Sequence, residues 1–150
     1  MDVKIASKWI LYFLNNSTCL VNKSRINNLL VYVICLYKYY DRDDCENFRI
    51  KSCYSGFKIE NIEKMLFDME KLELIGVRYN SYGIYLVPLV ELDIEIYEKE
   101  ELIILNKVNE VLNCMLTSEI LKYSLDQSAW INSDIGSDVT EKDISLVDFL

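Results

Sequence analysis

Histidine is absent from the chain, and with it goes the one side chain whose ordinary pKa lies near neutrality, the commonest general base and a frequent metal ligand. Proline occurs once and glycine four times in 150 residues, which excludes a linker-rich or low-complexity polypeptide and leaves a chain dense in regular elements. No apolar run reaches the roughly eighteen residues of a membrane span, the densest being Leu29 to Leu36. Asp2, Lys4, Ser7 and Lys8 interrupt the apolar pattern of Met1 to Leu14, so that segment lacks the continuous block of a signal peptide and a cytoplasmic protein is expected. The five cysteines form no C-x-x-C, which argues for reduced thiols and against a disulfide framework or zinc knuckle. Cys35 and Cys114 fall in apolar helical patterns as buried thiols, while Cys45 and Cys53, with no histidine to join them, make a weak metal site. P-loop, dinucleotide, nucleophile-elbow and zinc-protease signatures are missing. The expectation is a protein that is not an enzyme and uses no cofactor or metal.

Negative charge is abundant and unevenly spread. Glu91 to Leu150 holds fourteen acidic residues against four lysines, whereas Met1 to Val90 holds ten acidic and twelve basic ones. With a net charge of −8 and a pI near 4.6, the chain opposes the phosphate backbone, because nucleic-acid binders draw affinity from Lys and Arg releasing counterions. The length suits one domain, residues 1–150, with its own core. A partner with a basic surface is the natural counterpart.

Apolar spacing orders the elements. Ala6, Trp9, Ile10, Phe13 and Leu14 lie on one face of a helix. A second helix starts near Asn22, a good N-cap, and its stripe Ile26, Leu29, Leu30, Val33, Ile34 and Tyr37 is joined by apolar residues on the other faces, the mark of a central core helix. The charged run Asp41 to Asp44 reads as a loop, and Phe48 to Ser52 alternates like a strand. After Gly56, the residues Ile59, Ile62, Met65, Leu66, Met69 and Leu72 form a third helical stripe. Ile75 to Tyr79 and Ile84 to Val87, joined by Asn80-Ser81-Tyr82-Gly83, read as a β-hairpin. Glu98 to Met115 reads as the longest helix, with its glutamates at the positive N-terminal end, and Thr117 caps a short helix to Tyr123. Thr140-Glu141-Lys142-Asp143 has the capping-box form that would open a last helix through Ile144 and Val147. The fold class is mainly α (α+β): five or six helices with a small antiparallel sheet and a winged-helix-like hairpin after the third helix.

That helix and hairpin imitate a DNA-reading module, yet Ile59 to Glu73 carries five acidic residues against Lys64 and Lys71, the wrong sign for phosphate and base-edge contacts. The acids Glu91, Asp93, Glu95, Glu98, Glu100 and Glu101, continued by Asp126, form a candidate docking patch for a basic protein, against the plain alternative of a solvated helix start. Among eleven tyrosines, Tyr37 suits the core and Tyr82, at the hairpin turn, suits contact with a partner.

Three stretches resemble the Panacea domain, also described as SocA-like and phage-associated, which occurs in antitoxins. Ile26-Asn27-Asn28-Leu29-Leu30-Val31-Tyr32 resembles the family helix L-Q-K-L-L-Y-F, with Asn27 and Asn28 in place of Gln-Lys. Tyr54-Ser55-Gly56-Phe57-Lys58-Ile59 stands where the family has Y-G-P-V-V-P, and Thr117 to Trp130 is similar to L-S-x-x-E-L-S-x-L-S-H-x-x-x-P-W without its His. The resemblance implies a non-catalytic protein that neutralises a toxin by direct binding, with Leu29, Leu30 and Tyr32 in the core, Gly56 at a turn and Trp130 as an anchor, also counted among the partner-binding residues. Two alternatives share the same sequence features: a phage anti-defence inhibitor of the anti-CRISPR kind that blocks a basic nucleic-acid groove, and a winged-helix transcriptional regulator.

Overall fold

The computed structural model describes residues 3–42 and 47–150, so Cys45 and the end of the charged loop lie outside the described residues. Helix α1 (Val3–Asn16) lays its predicted stripe inward, and Trp9, Ile10 and Phe13 are fully buried. Helix α2 (Lys23–Tyr39) is the longest helix among the described residues and the centre of the fold. Asn22 caps it by accepting from the Arg25 N–H at 2.8 Å. Every residue from Arg25 to Tyr37 is buried, as the all-round apolar pattern requires, because α2 packs against α1, α4 (Lys99–Val111), α5 (Thr117–Leu125) and strand β2 (Gly56–Ile59).

Strands β1 (Ile50–Cys53) and β2 pair antiparallel, with Ile50 opposite Ile59 and Cys53 opposite Gly56, and β5 (Asp138–Val139) pairs on the other side of β1. The Gly56 to Ile59 segment, expected as a turn leading into the third helix, is thus a strand, and helix α3 (Ile62–Lys71) begins after it. Helix α2 reaches this strand through one amide. The Asn27 Nδ2 donates to the Phe57 carbonyl at 2.7 Å and its Oδ1 accepts from the Ile59 N–H at 2.9 Å, so the side chain occupies the strand's outer edge as another backbone would.

Strands β3 (Ile75–Asn80) and β4 (Gly83–Pro88) form the expected hairpin directly after α3. Its base is buried at Ile75 and Leu86 and tied to the α1–α2 connection by the Leu86 N–H donating to the Val21 carbonyl at 2.7 Å, while its tip leaves the core. Helix α4 is shorter than the expected Glu98 to Met115, and Cys114 lies beyond its end, exposed rather than buried. Past α6 (Ser128–Ile131) the predicted last helix is replaced by two 3-10 turns, Glu141–Asp143 and Val147–Phe149. Gln127 explains the change. Its Oε1 accepts from the Ser145 N–H at 3.0 Å and its Nε2 donates to the Ser145 carbonyl at 3.3 Å, taking backbone groups that a continuous helix would need.

Candidate protein-docking surface

The three stretches singled out in the sequence converge on one buried junction. The Ser124 hydroxyl from α5 donates to Asn28 Oδ1 at 2.8 Å and lies 3.0 Å from the Tyr32 hydroxyl. Gly56, with φ of +119°, comes so close that a Cβ there would sit 3.0 Å from the Ser124 Cβ, so the turn needs glycine both for conformation and for space. Trp130 is half-buried and its indole N–H donates to the Cys53 carbonyl at 2.7 Å. That bond makes it an anchor between α6 and β1 and takes its polar end away from any partner. Burial pushes the Tyr32 hydroxyl well above its ordinary pKa, although the Ser124 and Gln127 bonds oppose it. With Ser124 and Tyr32 fully buried, this junction holds the fold and offers no atom to a substrate.

A second internal knot ties the ends of α2 and α4. The fully buried Arg25 guanidinium donates to the Asn113 carbonyl at 2.6 Å, to Asn113 Oδ1 at 3.1 Å and to the Met115 carbonyl at 2.7 Å. Burial lowers its pKa from the ordinary arginine value.

The predicted acidic patch divides in three. Glu101 is 4 % exposed, and its carboxylate accepts from the Trp9 indole at 3.0 Å, pairs with Lys8 at 2.9 Å and accepts from the Glu98 N–H at 3.2 Å. It is therefore a core carboxylate and is withdrawn from the docking residues. The sequence carried a signal for this: Glu101 lies four residues before Leu105 on the stripe that continues through Val108 and Leu112. Glu98, Asp126 and Asp93 are exposed but engaged, with Arg42 at 2.6 Å, with Lys122 at 3.0 Å and with the Glu95 N–H at 3.1 Å. Glu91, Glu95 and Glu100 are exposed and make no ion pair among the described residues.

Between these acids stand apolar side chains that charge counting missed. Leu89, Val90, Ile94 and Ile96 are exposed, the last two by 59 % and 51 %. The segment is held rigidly from beneath. Asp93 caps the 3-10 turn Ile94–Ile96, Lys8 Nζ donates to the Ile96 carbonyl at 3.2 Å, and the buried Tyr97 donates its hydroxyl to the Lys8 carbonyl at 2.6 Å. Burial together with the nearby Glu101 carboxylate raises the Tyr97 pKa, keeping that donor protonated.

Tyr82 projects from the hairpin tip at 93 % exposure, with Tyr79 and Ile84 beside it, away from the acidic segment in sequence and element. On α3 the exposed face carries Glu63, Lys64, Phe67, Glu70 and Lys71, with Glu63 paired to Lys58 at 3.1 Å and Lys64 to Asp68 at 2.9 Å. A cleft of about 520 Å³ between the end of α2 and the C-terminal segment is lined by Cys35, Tyr39, Ile144 and Leu150 and contains the Lys38–Glu141 ion pair at 2.6 Å. Among the described residues no group of three or more His, Cys, Asp or Glu side chains could hold a metal ion, and no helix is long and apolar enough to cross a membrane. No protein-family model matches the chain, and no curated protein or solved structure matches it.

Proposed function

We propose that this chain is a non-catalytic inhibitor that binds a protein partner with a basic surface, in the manner of the Panacea antitoxins it resembles. The observation that carries the reading is the set of exposed carboxylates Glu91 and Glu95, between the hairpin and α4, and Glu100, in the first turn of α4, none of which makes an ion pair among the described residues. Acids without a partner of their own steer a basic protein toward them and repel acidic competitors. The family resemblance is supported by the meeting of its three stretches at Asn28, Tyr32, Gly56 and Ser124. DNA reading by α3 and the hairpin is the weaker use of this surface, since the exposed Lys64 and Lys71 of α3 are matched by Glu63 and Glu70 and Lys64 is already held by Asp68.

The test is co-expression with the products of adjacent reading frames. A toxic product that is neutralised, and that stays bound through size-exclusion chromatography, identifies an antitoxin; a basic nuclease component whose nucleic-acid groove is blocked identifies an anti-defence inhibitor. In either complex, the triple variant Glu91→Lys, Glu95→Lys and Glu100→Lys should slow association at low salt by about tenfold or more. Unchanged association kinetics at low salt would reject the acidic surface as the docking site.

A further inference from the structure

Resting on that reading, we infer that the docking element is the apolar strip Leu89 to Ile96 and that its occupant is a cationic amphipathic helix of the partner, its apolar side covering Ile94 and Ile96 and its lysines or arginines meeting Glu91 and Glu95.

The apolar exposure comes first. Leu89, Val90, Ile94 and Ile96 are all more than a third exposed within eight residues, although Leu92 between them packs against the core. Isolated exposed aliphatics are ordinary, whereas four within eight residues of one segment mark it as a contact surface. Charge then selects the occupant. Glu91 and Glu95 stand exposed within the strip and Glu100 just beyond it, none with an ion pair among the described residues, so a covering surface must bring positive charge. A second copy of a chain with net charge −8 would set acid against acid.

At the turn Ile94–Ile96 the backbone opposes strand addition. The Glu95 N–H goes to Asp93 Oδ1, the Ile96 N–H to the Asp93 carbonyl, and the Ile96 carbonyl to Lys8, which leaves this turn no free edge on which a partner strand could pair. Contact at the turn must be made through side chains. An amphipathic helix supplies an apolar face bordered by charge at the required scale. Because Asp93, Lys8 and Tyr97 already fix the turn, little ordering is lost when it is covered.

The test uses a synthetic leucine–lysine peptide with helical spacing, and a scrambled peptide of the same composition, titrated by fluorescence anisotropy at physiological salt. The amphipathic peptide should bind about tenfold or more tightly than the scramble, and Ile94→Ser with Ile96→Ser should abolish that preference. Both positions are exposed, and the thermal midpoint of the variant should equal that of the parent. Equal binding of the two peptides, or a preference that survives the isoleucine substitutions, overturns the helix assignment. Glu91→Gln with Glu95→Gln should weaken both peptides. If those substitutions change neither titration, it is the basic-partner reading itself that falls.

Discussion

The indole N–H of Trp9 donates to the Glu101 carboxylate at 3.0 Å, across ninety-two residues of sequence. Trp9 is fully buried between Tyr37 and Phe48, so a single bond joins the aromatic centre of the core to the first turn of α4. The same carboxylate accepts from the Glu98 N–H in a capping box and pairs with Lys8. One side chain thus starts a helix, neutralises a lysine and satisfies an indole.

Replacing Glu101 with alanine should therefore cost about 2–3 kcal/mol, below the full penalty for breaking a buried pair because Lys8 can turn toward water. Glu101→Gln should cost less, since an amide oxygen still accepts from Trp9 or from the Glu98 N–H. Glu100→Ala, one position away and exposed, should stay within about 0.5 kcal/mol. Urea unfolding of the three variants checks the order, and equal losses at positions 100 and 101 would contradict the burial of Glu101.

Glu101 also marks where the sequence was readable and where it was not. The stripes of α1 and α2 were legible because their period of 3.6 residues is carried by large apolar side chains, and Trp9, Phe13, Leu29 and Tyr32 all lie in the core. The hairpin was legible because Asn80 to Gly83 has turn chemistry, with Gly83 at φ of +125°. Strand β2 was hidden by its length of four residues and by Asn27, a helical side chain that supplies its edge bonds. The C-terminal capping box misled because Gln127 takes the backbone of Ser145, a tertiary contact that no local pattern records. At the docking surface the acids were visible as a run. Which of them is buried, and which apolar neighbours are exposed, depended on the stripe of α4 and on the Asp93 cap.

Arg25 is the next point of dependence. Removing its guanidinium by Arg25→Ala would leave the Asn113 and Met115 carbonyls without their donor in a buried site, and the expected loss is about 3–5 kcal/mol. Arg25→Lys should recover only part of it, because one ammonium cannot span acceptors that a planar fork reaches together. Thermal melting of both variants, with amide exchange at Asn113, reads the difference. Full stability in the lysine variant would show that charge alone suffices.

At Gly56, a substitution to alanine meets two obstacles: the φ of +119° and the Ser124 Cβ at 3.0 Å. A cost of about 1–3 kcal/mol is expected. Ser124→Gly should itself destabilise by removing the bonds to Asn28 and Tyr32. The double variant should nevertheless be more stable than the sum of the two losses predicts, by about 1 kcal/mol, since the steric part disappears. Strict additivity in a double-mutant cycle would place the whole cost in the backbone conformation.

The pair Lys38 and Glu141 fixes the C-terminal segment to α2 and gives the fold an acid-sensitive contact. Burial is the largest single influence and by itself would raise the Glu141 carboxyl, but the bond from Lys38 at 2.6 Å, a backbone hydrogen bond and the charges of Lys38 and Lys142 together outweigh it and hold the group below its ordinary value. A folded-state pKa below the unfolded one means that the contribution is complete above the unfolded value of about 4.3 and is lost as pH falls through the folded value. With both side chains about a quarter exposed, at 27 % and 23 %, Glu141→Gln should lower stability by no more than about 1 kcal/mol at neutral pH. Urea midpoints for the wild-type chain and Glu141→Gln should therefore differ at pH 7 and draw together toward about pH 3, below the unfolded value. A gap that stays constant across that range would assign the loss to packing of the cleft wall, whereas a narrowing gap assigns it to the carboxylate and its lysine.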